Sequence, residues 1–308
     1  MAVGERSGGA PVRLAVMVFP GTQTLPLYAA QAQGLFAKRG LEVEFHPAPN
    51  SAEQRAGLAA GRYQIVHGAA DQAVALTEDG GADAVIVAGG DNGFNHLIVQ
   101  PDVRALADLR GRTLAADVAN TGWSFVLYRM LRLAGLERAD YTIVEAGAPF
   151  RRFAAMRDDG LAAAILNPPF AIHAREAGFR DMGAVIDTVG PYLGTVPYVL
   201  RDWAAANTAT LVAYLQASIE GLRFALAPEN QAAAEALYAE RLNVAPAVAA
   251  DMVRIAADPV RGFARDAAFD RAGFETVLAL RGESEGRMLR PPESYVDLSY
   301  YRQALAGL

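Results

Sequence analysis

Residues 12–46, VRLAVMVFPGTQTLPLYAAQAQGLFAKRGLEVEFH, decide the fold class. Val12–Val18 is a short, β-branched apolar run that reads as a buried strand. Phe19-Pro20-Gly21-Thr22 breaks it, and Leu25–Lys38 then takes up helical spacing. Gly40 stops the helix and Leu41–His46 reads as a second strand. The unit is strand, loop, helix, strand, and it repeats. Ser51 reads as the N-cap of a helix over residues 52–60, followed by a strand at Gln64–His67, a helix at Asp71–Glu78 and a strand at Ala84–Ala88. Such alternation predicts a mainly parallel sheet with helices on both faces.

Gly89-Gly90-Asp91-Asn92-Gly93 is the densest turn signal in the chain, and a crossing to a second lobe is expected there. Beyond it the alternation resumes. Strands are expected at Phe94–Gln100, Thr113–Ala116, Tyr141–Val144 and Ala162–Leu166, with helices at Trp123–Leu133, Pro149–Asp158 and from Pro168-Pro169 onward. Gly190-Pro191-Tyr192-Leu193-Gly194 breaks the pattern again, and Val196–Leu200 reads as a return strand. The remainder is helical, apart from a weak strand signal in the tail, and is expected to pack on the first lobe. The fold class is therefore α/β, a two-lobed clamp with residues 12–95 and 196–308 in lobe I and 96–195 in lobe II.

Of the 308 residues, 52% are hydrophobic and 20% charged, a globular balance. With a net charge of −6 and scattered cations, no basic stripe offers itself to nucleic acid. Apolar runs fall short of the roughly 20 residues a membrane span needs. Cysteine is absent, which removes disulfides and thiolate chemistry. No H-E-x-x-H spacing suggests a metal, and no cofactor is implied. The start, Met1 to Pro11, is polar and glycine-rich without an apolar signal segment.

Several stretches carry a resemblance to a known family. Residues 25–44, LPLYAAQAQGLFAKRGLEVE, are similar to the P-x-Y-x-A-x-x-x-G-x-F-x-x-x-G-L-x-V opening of the nitrate/sulfonate/taurine substrate-binding proteins of ABC importers. Residues 57–66, GLAAGRYQIV, resemble that family's L-x-x-G-x-x-D step, with Gln64 in place of Asp. Residues 106–114, LADLRGRTL, resemble its entry to the second lobe, and residues 160–169, GLAAAILNPP, its G-x-x-D-A-x-x-x-x-P-P step. The resemblance implies a periplasmic-binding-protein-like fold, a small anionic organic ligand such as a sulfonate, carboxylate or heteroaromatic acid, and a permease partner. It also implies a monomer in the periplasm, once a signal peptide has been removed. The alternative is a cytoplasmic enzyme on the same fold, such as an aromatic-acid decarboxylase, or a ligand sensor. Relatives that make a thiamin pyrimidine precursor carry a cysteine-rich motif that this chain cannot reproduce.

Ligands of open parallel sheets bind beyond the carboxyl ends of the strands, so the loops there supply the candidates. They are Thr22 and Gln23, His67, Asp91, Asn92 and Asn95, the run Asn120-Thr121-Gly122-Trp123-Ser124, Asn167 and Tyr192. The run from Asn120 leads a helix whose free N–H groups and dipole suit an anion, with an ordinary N-cap as the plain alternative. Trp123 suits stacking on a planar ligand or simple core packing. His67 and His96 suit hydrogen bonding to a ligand more than base catalysis, and Arg151 and Arg152 read as a solvated pair on a helix surface, with a bidentate contact from one of them to an anion as the alternative. No catalytic residue is assigned.

Overall fold

The computed structural model describes residues 10–79 and 81–308. The polar stretch before residue 10 lies outside the described residues. Ten strands form two five-stranded sheets. The first sheet takes β1 (Val12–Val18), β2 (Leu41–Pro47), β3 (Ile65–Ala69) and β4 (Ala84–Ile86). The second takes β5 (His96–Val99), β6 (Thr113–Ala116), β7 (Thr142–Glu145), β8 (Ala163–Leu166) and β9 (Arg180–Ala184), and β10 (Thr195–Leu200) returns to the first. The strand orders are β2-β1-β3-β10-β4 and β7-β6-β8-β5-β9. β10 and β5 run antiparallel to their neighbours and the other pairs are parallel. Helices cover both faces of the first sheet. Val16 and Val18 pack toward the helices Leu25–Ala32 and Thr208–Leu226, while Met17 packs toward Ala70–Asp79, so β1 is apolar on both sides.

Several elements differ from the sequence reading. The helix read as Leu25–Lys38 ends at Ala32, because Gly34 turns left-handed at φ +64° before a short 3-10 turn at Ala37–Arg39. Asn50, not Ser51, caps the next helix, its Oδ1 accepting from the Glu53 N–H. Strand β9 went unread because RDMGA is a half-exposed, polar edge. The tail is a helix, Ser299–Ala306. The helix Arg271–Glu285 packs on Ala70–Asp79 of the first sheet and also on Gly122–Leu133 of the second.

The chain crosses between sheets twice, at residues 87–95 and 185–194. The two crossings are stitched together at Asp91. Its Oδ1 accepts from the Gly93 N–H (2.8 Å), its Oδ2 from the Thr195 N–H (3.0 Å), and its carbonyl from the Gly194 N–H (2.9 Å). Burial pushes the Asp91 carboxyl up to about 6, against the pull of those N–H groups.

Candidate functional site

The two sheets point their strand ends at one another, and the loops there enclose a cleft. About 500 Å³ of space unfilled by atoms lies in it, including its open mouth. Phe19 and Gln23 follow β1, Ser51 follows β2, and Asp117, Arg152 and Asn167 follow β6, β7 and β8. Direct bonds join the lobes around it. The Ser51 N–H and hydroxyl donate to the Asp117 carboxylate, the Ala148 N–H to the Pro49 carbonyl (3.1 Å), and the Thr22 N–H to the Pro168 carbonyl (3.2 Å).

Arg152 is the residue that sequence reasoning missed. It lies in the helix Pro149–Asp158, 5% exposed, not solvated as the paired arginines suggested. Pro149, Arg152 and Met156 share the buried face while Arg151 is exposed, a spacing of three and four that marked Arg152 as inward-facing. Its Nε has no hydrogen-bond partner among the described residues. Burial lowers its pKa, and the opposing pull among the described residues comes from the Asp117 charge. A guanidinium does not lose its proton in a protein, so the cation persists with this N–H unpaired among the described residues. A buried charge left in that state is costly, and an anion in the cleft removes the cost.

The neighbouring carboxylates are differently placed. Asp117 is occupied by Ser51, and both oxygens of Asp91 accept backbone N–H groups. The hydrogen-bonding capacity of these two carboxylates is thus largely taken up within the chain, whereas Arg152 keeps an open donor.

A chain of amides fixes a second feature. Gln23 Nε2 donates to the Phe19 carbonyl (2.7 Å), so Gln23 Oε1 faces Asn167 and accepts from its Nδ2 (2.9 Å). Because a carbonyl can only accept, this order leaves Asn167 Oδ1 as a buried acceptor without a donor. Gly21 admits the amide: a Cβ there would lie 2.3 Å from Asn167 Nδ2. Arg152 and Asn167 thus offer an anion site beside an acceptor for an O–H or N–H.

Of the residues named from sequence, the structure brings Gln23, Asp91, Asn95, Trp123 and Asn167 to the cleft. The others lie elsewhere. Thr22 is bonded through its backbone and hydroxyl to Pro168, and Asn92 Nδ2 donates to the Val260 carbonyl (3.2 Å). The expected anion site at the Gly122 helix is occupied by the chain itself. Thr121 and Ser124 hydroxyls both donate to the Val118 carbonyl (2.9 and 2.7 Å), and a Cβ at Gly122 would meet the Asp71 Cβ at 2.7 Å and the Tyr192 hydroxyl at 2.6 Å. The Asn120 carbonyl accepts from Arg281 (3.3 Å), and Tyr192 packs its ring on Trp123 with centroids 4.8 Å apart. His67 bonds the Tyr214 hydroxyl (2.9 Å) through Nε2, and burial lowers its pKa to about 3. His96 bonds Asp181 (3.0 Å), away from the cleft. Among the described residues no three His, Asp or Glu side chains are grouped to hold a metal, and no helix is long and apolar enough to cross a membrane.

Residues 21–232 match the protein family described as NMT1/THI5 like. Comparison with curated proteins returns no match. Solved structures share the whole architecture at low identity. A ligand-binding component of an ABC-type import system from Staphylococcus aureus, with zinc bound, is similar at TM-score 0.80 and 13% identity, over 95% of this chain and 98% of that one. The periplasmic nitrate-binding protein of Synechocystis PCC 6803 is similar at 0.79 and 14% identity, over 97% and 89%. The alkanesulfonate-binding protein of Xanthomonas axonopodis pv. citri, bound to MOPS, is similar at 0.73 and 17% identity, over 97% and 95%. At these identities the likeness is one of fold, a two-lobed periplasmic-binding-protein-like clamp.

Proposed function

The chain belongs to the NMT1/THI5-like family, and from that premise we propose that it captures a small anionic organic molecule between its lobes as the receptor of an ABC importer. The observation that carries this is the buried, unpaired Arg152 guanidinium at the cleft. The anionic group sits on Arg152, Asn167 Oδ1 accepts from a hydroxyl or N–H of the same ligand, and Phe19, Phe94 and Trp123 supply the apolar and aromatic walls. Nitrate- and sulfonate-binding neighbours support the ligand class. The permease partner and a periplasmic location follow from the same reading, as does a lobe closure hinged at residues 87–95 and 185–194.

The enzyme alternative requires a free base at the cleft; His67 is turned away toward Tyr214, and the Asp91 and Asp117 carboxylates that do line the cleft already accept from Gly93, Thr195 and Ser51. A thermal-shift panel of nitrate, sulfonates, carboxylates and heteroaromatic acids tests the proposal. One class should raise the melting temperature saturably, as RT ln(1 + [L]/Kd) requires, without being consumed. A panel with no shift, or turnover of the compound that binds, would overturn it.

A further inference from the structure

Beside the cleft lies a second pocket, with about 490 Å³ of space unfilled by atoms, part of it open to solvent, and we propose that it receives an apolar extension, alkyl or aryl, of the anion bound at Arg152. The inference rests on the anion reading above and adds where the rest of the ligand goes.

The two spaces are successive steps along one face of the sheet. In the antiparallel register of β3 and β10, Ala69 pairs with Thr195 and His67 with Pro197. Side chains two apart on a strand share a face, so these pairs stack one behind the other, roughly 7 Å apart. Ala69 and Thr195 line the cleft, while His67 and Pro197 line the inner cavity. Gln23 and Thr195 border both, so the two spaces adjoin there.

The inner lining excludes a second charge. Leu27, Leu215, Ile219, Leu222 and Phe263 make its wall largely apolar. Its polar side chains are engaged within the chain: His67 with the Tyr214 hydroxyl, the Ser218 hydroxyl with the Tyr214 carbonyl (2.9 Å), Gln23 with Phe19 and Asn167, and Thr195 with Asp91. Burial keeps His67 neutral, with its pKa lowered to about 3, so no cation is present to hold an anion there. Pro197 brings no N–H. Such a cavity takes apolar guests and gives polar ones nothing in exchange for their water.

Calorimetry with two homologous series, linear sulfonates from methanesulfonate upward and carboxylates from acetate upward, tests this. In the series whose head group binds, affinity should rise about threefold to fourfold for each of the first added methylenes and then level off. Ser218→Leu, which adds bulk at the inner wall, should abolish the rise while leaving the shortest binding member unchanged. Leu222→Ala should move the plateau to longer chains and serves if Ser218→Leu misfolds. Binding of a short member with no rise along the series overturns the inference and leaves the anion site standing. A rise untouched by both variants overturns the inner cavity as its location. If no member of either series binds, the receptor reading fails and this inference with it.

Discussion

Two buried arginines sit at the junction of the lobes, and they are treated in opposite ways. Arg281, in the helix Arg271–Glu285, has no exposed side-chain surface and is fully engaged. It grips Asp71 with Nε and Nη2 (2.6 and 3.0 Å), pairs with Glu285 and Asp79, donates to the Asn120 carbonyl and lies 5.1 Å from the centre of the Phe125 ring. Asp71 belongs to the first lobe, and Asn120 and Phe125 to the second, so Arg281 holds both. Arg152 is buried in the wall of the cleft, and its Nε has no hydrogen-bond partner among the described residues. A buried cation whose partners all come from the chain is a structural clasp, and one with an open donor has room for a partner from outside.

Breaking the clasp should have the largest effect. Arg281→Met strands Asp71 in the interior and should destabilise the protein by about 3–5 kcal/mol in denaturant melts. Adding Asp71→Leu should restore much of that loss, because the penalty lies in the orphaned charge. A single variant as stable as the parent would show that the clasp contributes nothing.

Asp91 provides a third buried charge, intermediate between the two arginines because backbone N–H groups and the Thr195 hydroxyl, rather than a counter-charge, hold it. Its pKa is raised from 3.8 to about 6, so the folded state binds a proton the unfolded chain has released. Stability from this group is therefore full below about pH 4 and is lost as pH rises through 6, a change on the order of 3 kcal/mol for a shift from 3.8 to about 6. Asp91→Asn should flatten the melting temperature between pH 4.5 and 7 relative to the parent. Parallel pH profiles for the two proteins would contradict it.

Smaller effects separate lobe contact from ligand contact. Ser51→Ala removes one hydroxyl bond to Asp117 across the cleft, costing about 1 kcal/mol of closed form and a few-fold in affinity by calorimetry. Thr121→Ala should leave affinity within about twofold, since its hydroxyl serves Val118, and cost roughly 1 kcal/mol in stability. A tenfold loss of affinity in Thr121→Ala would move the site to the Gly122 helix start.

The order of elements was legible because each strand in the interior, from Val12–Val18 to Ala163–Leu166, is an apolar run between turn residues. Polar edges such as β9 carry no such signal. The site was harder to read for a related reason. Loop residues such as Gln23, Asp91, Asn95 and Asn167 follow from strand ends, and all reach the cleft. Arg152 was hidden because adjacent arginines on a helix look solvated unless the faces are sorted by Pro149 and Met156. The Gly122 helix start looked open because nothing local reveals that Asp71, about fifty residues earlier, packs against it.

The contrast between the two arginines is tested most directly by Arg152→Gln, measured twice, once for affinity toward the anion found in the panel and once for the melting temperature without ligand. Affinity should fall about 10- to 150-fold, the loss of hydrogen bonds to a charged group, while the ligand-free protein melts higher because an uncompensated buried charge is gone. Unchanged affinity together with a lower melting temperature would make Arg152 a structural residue like Arg281 and contradict the anion site.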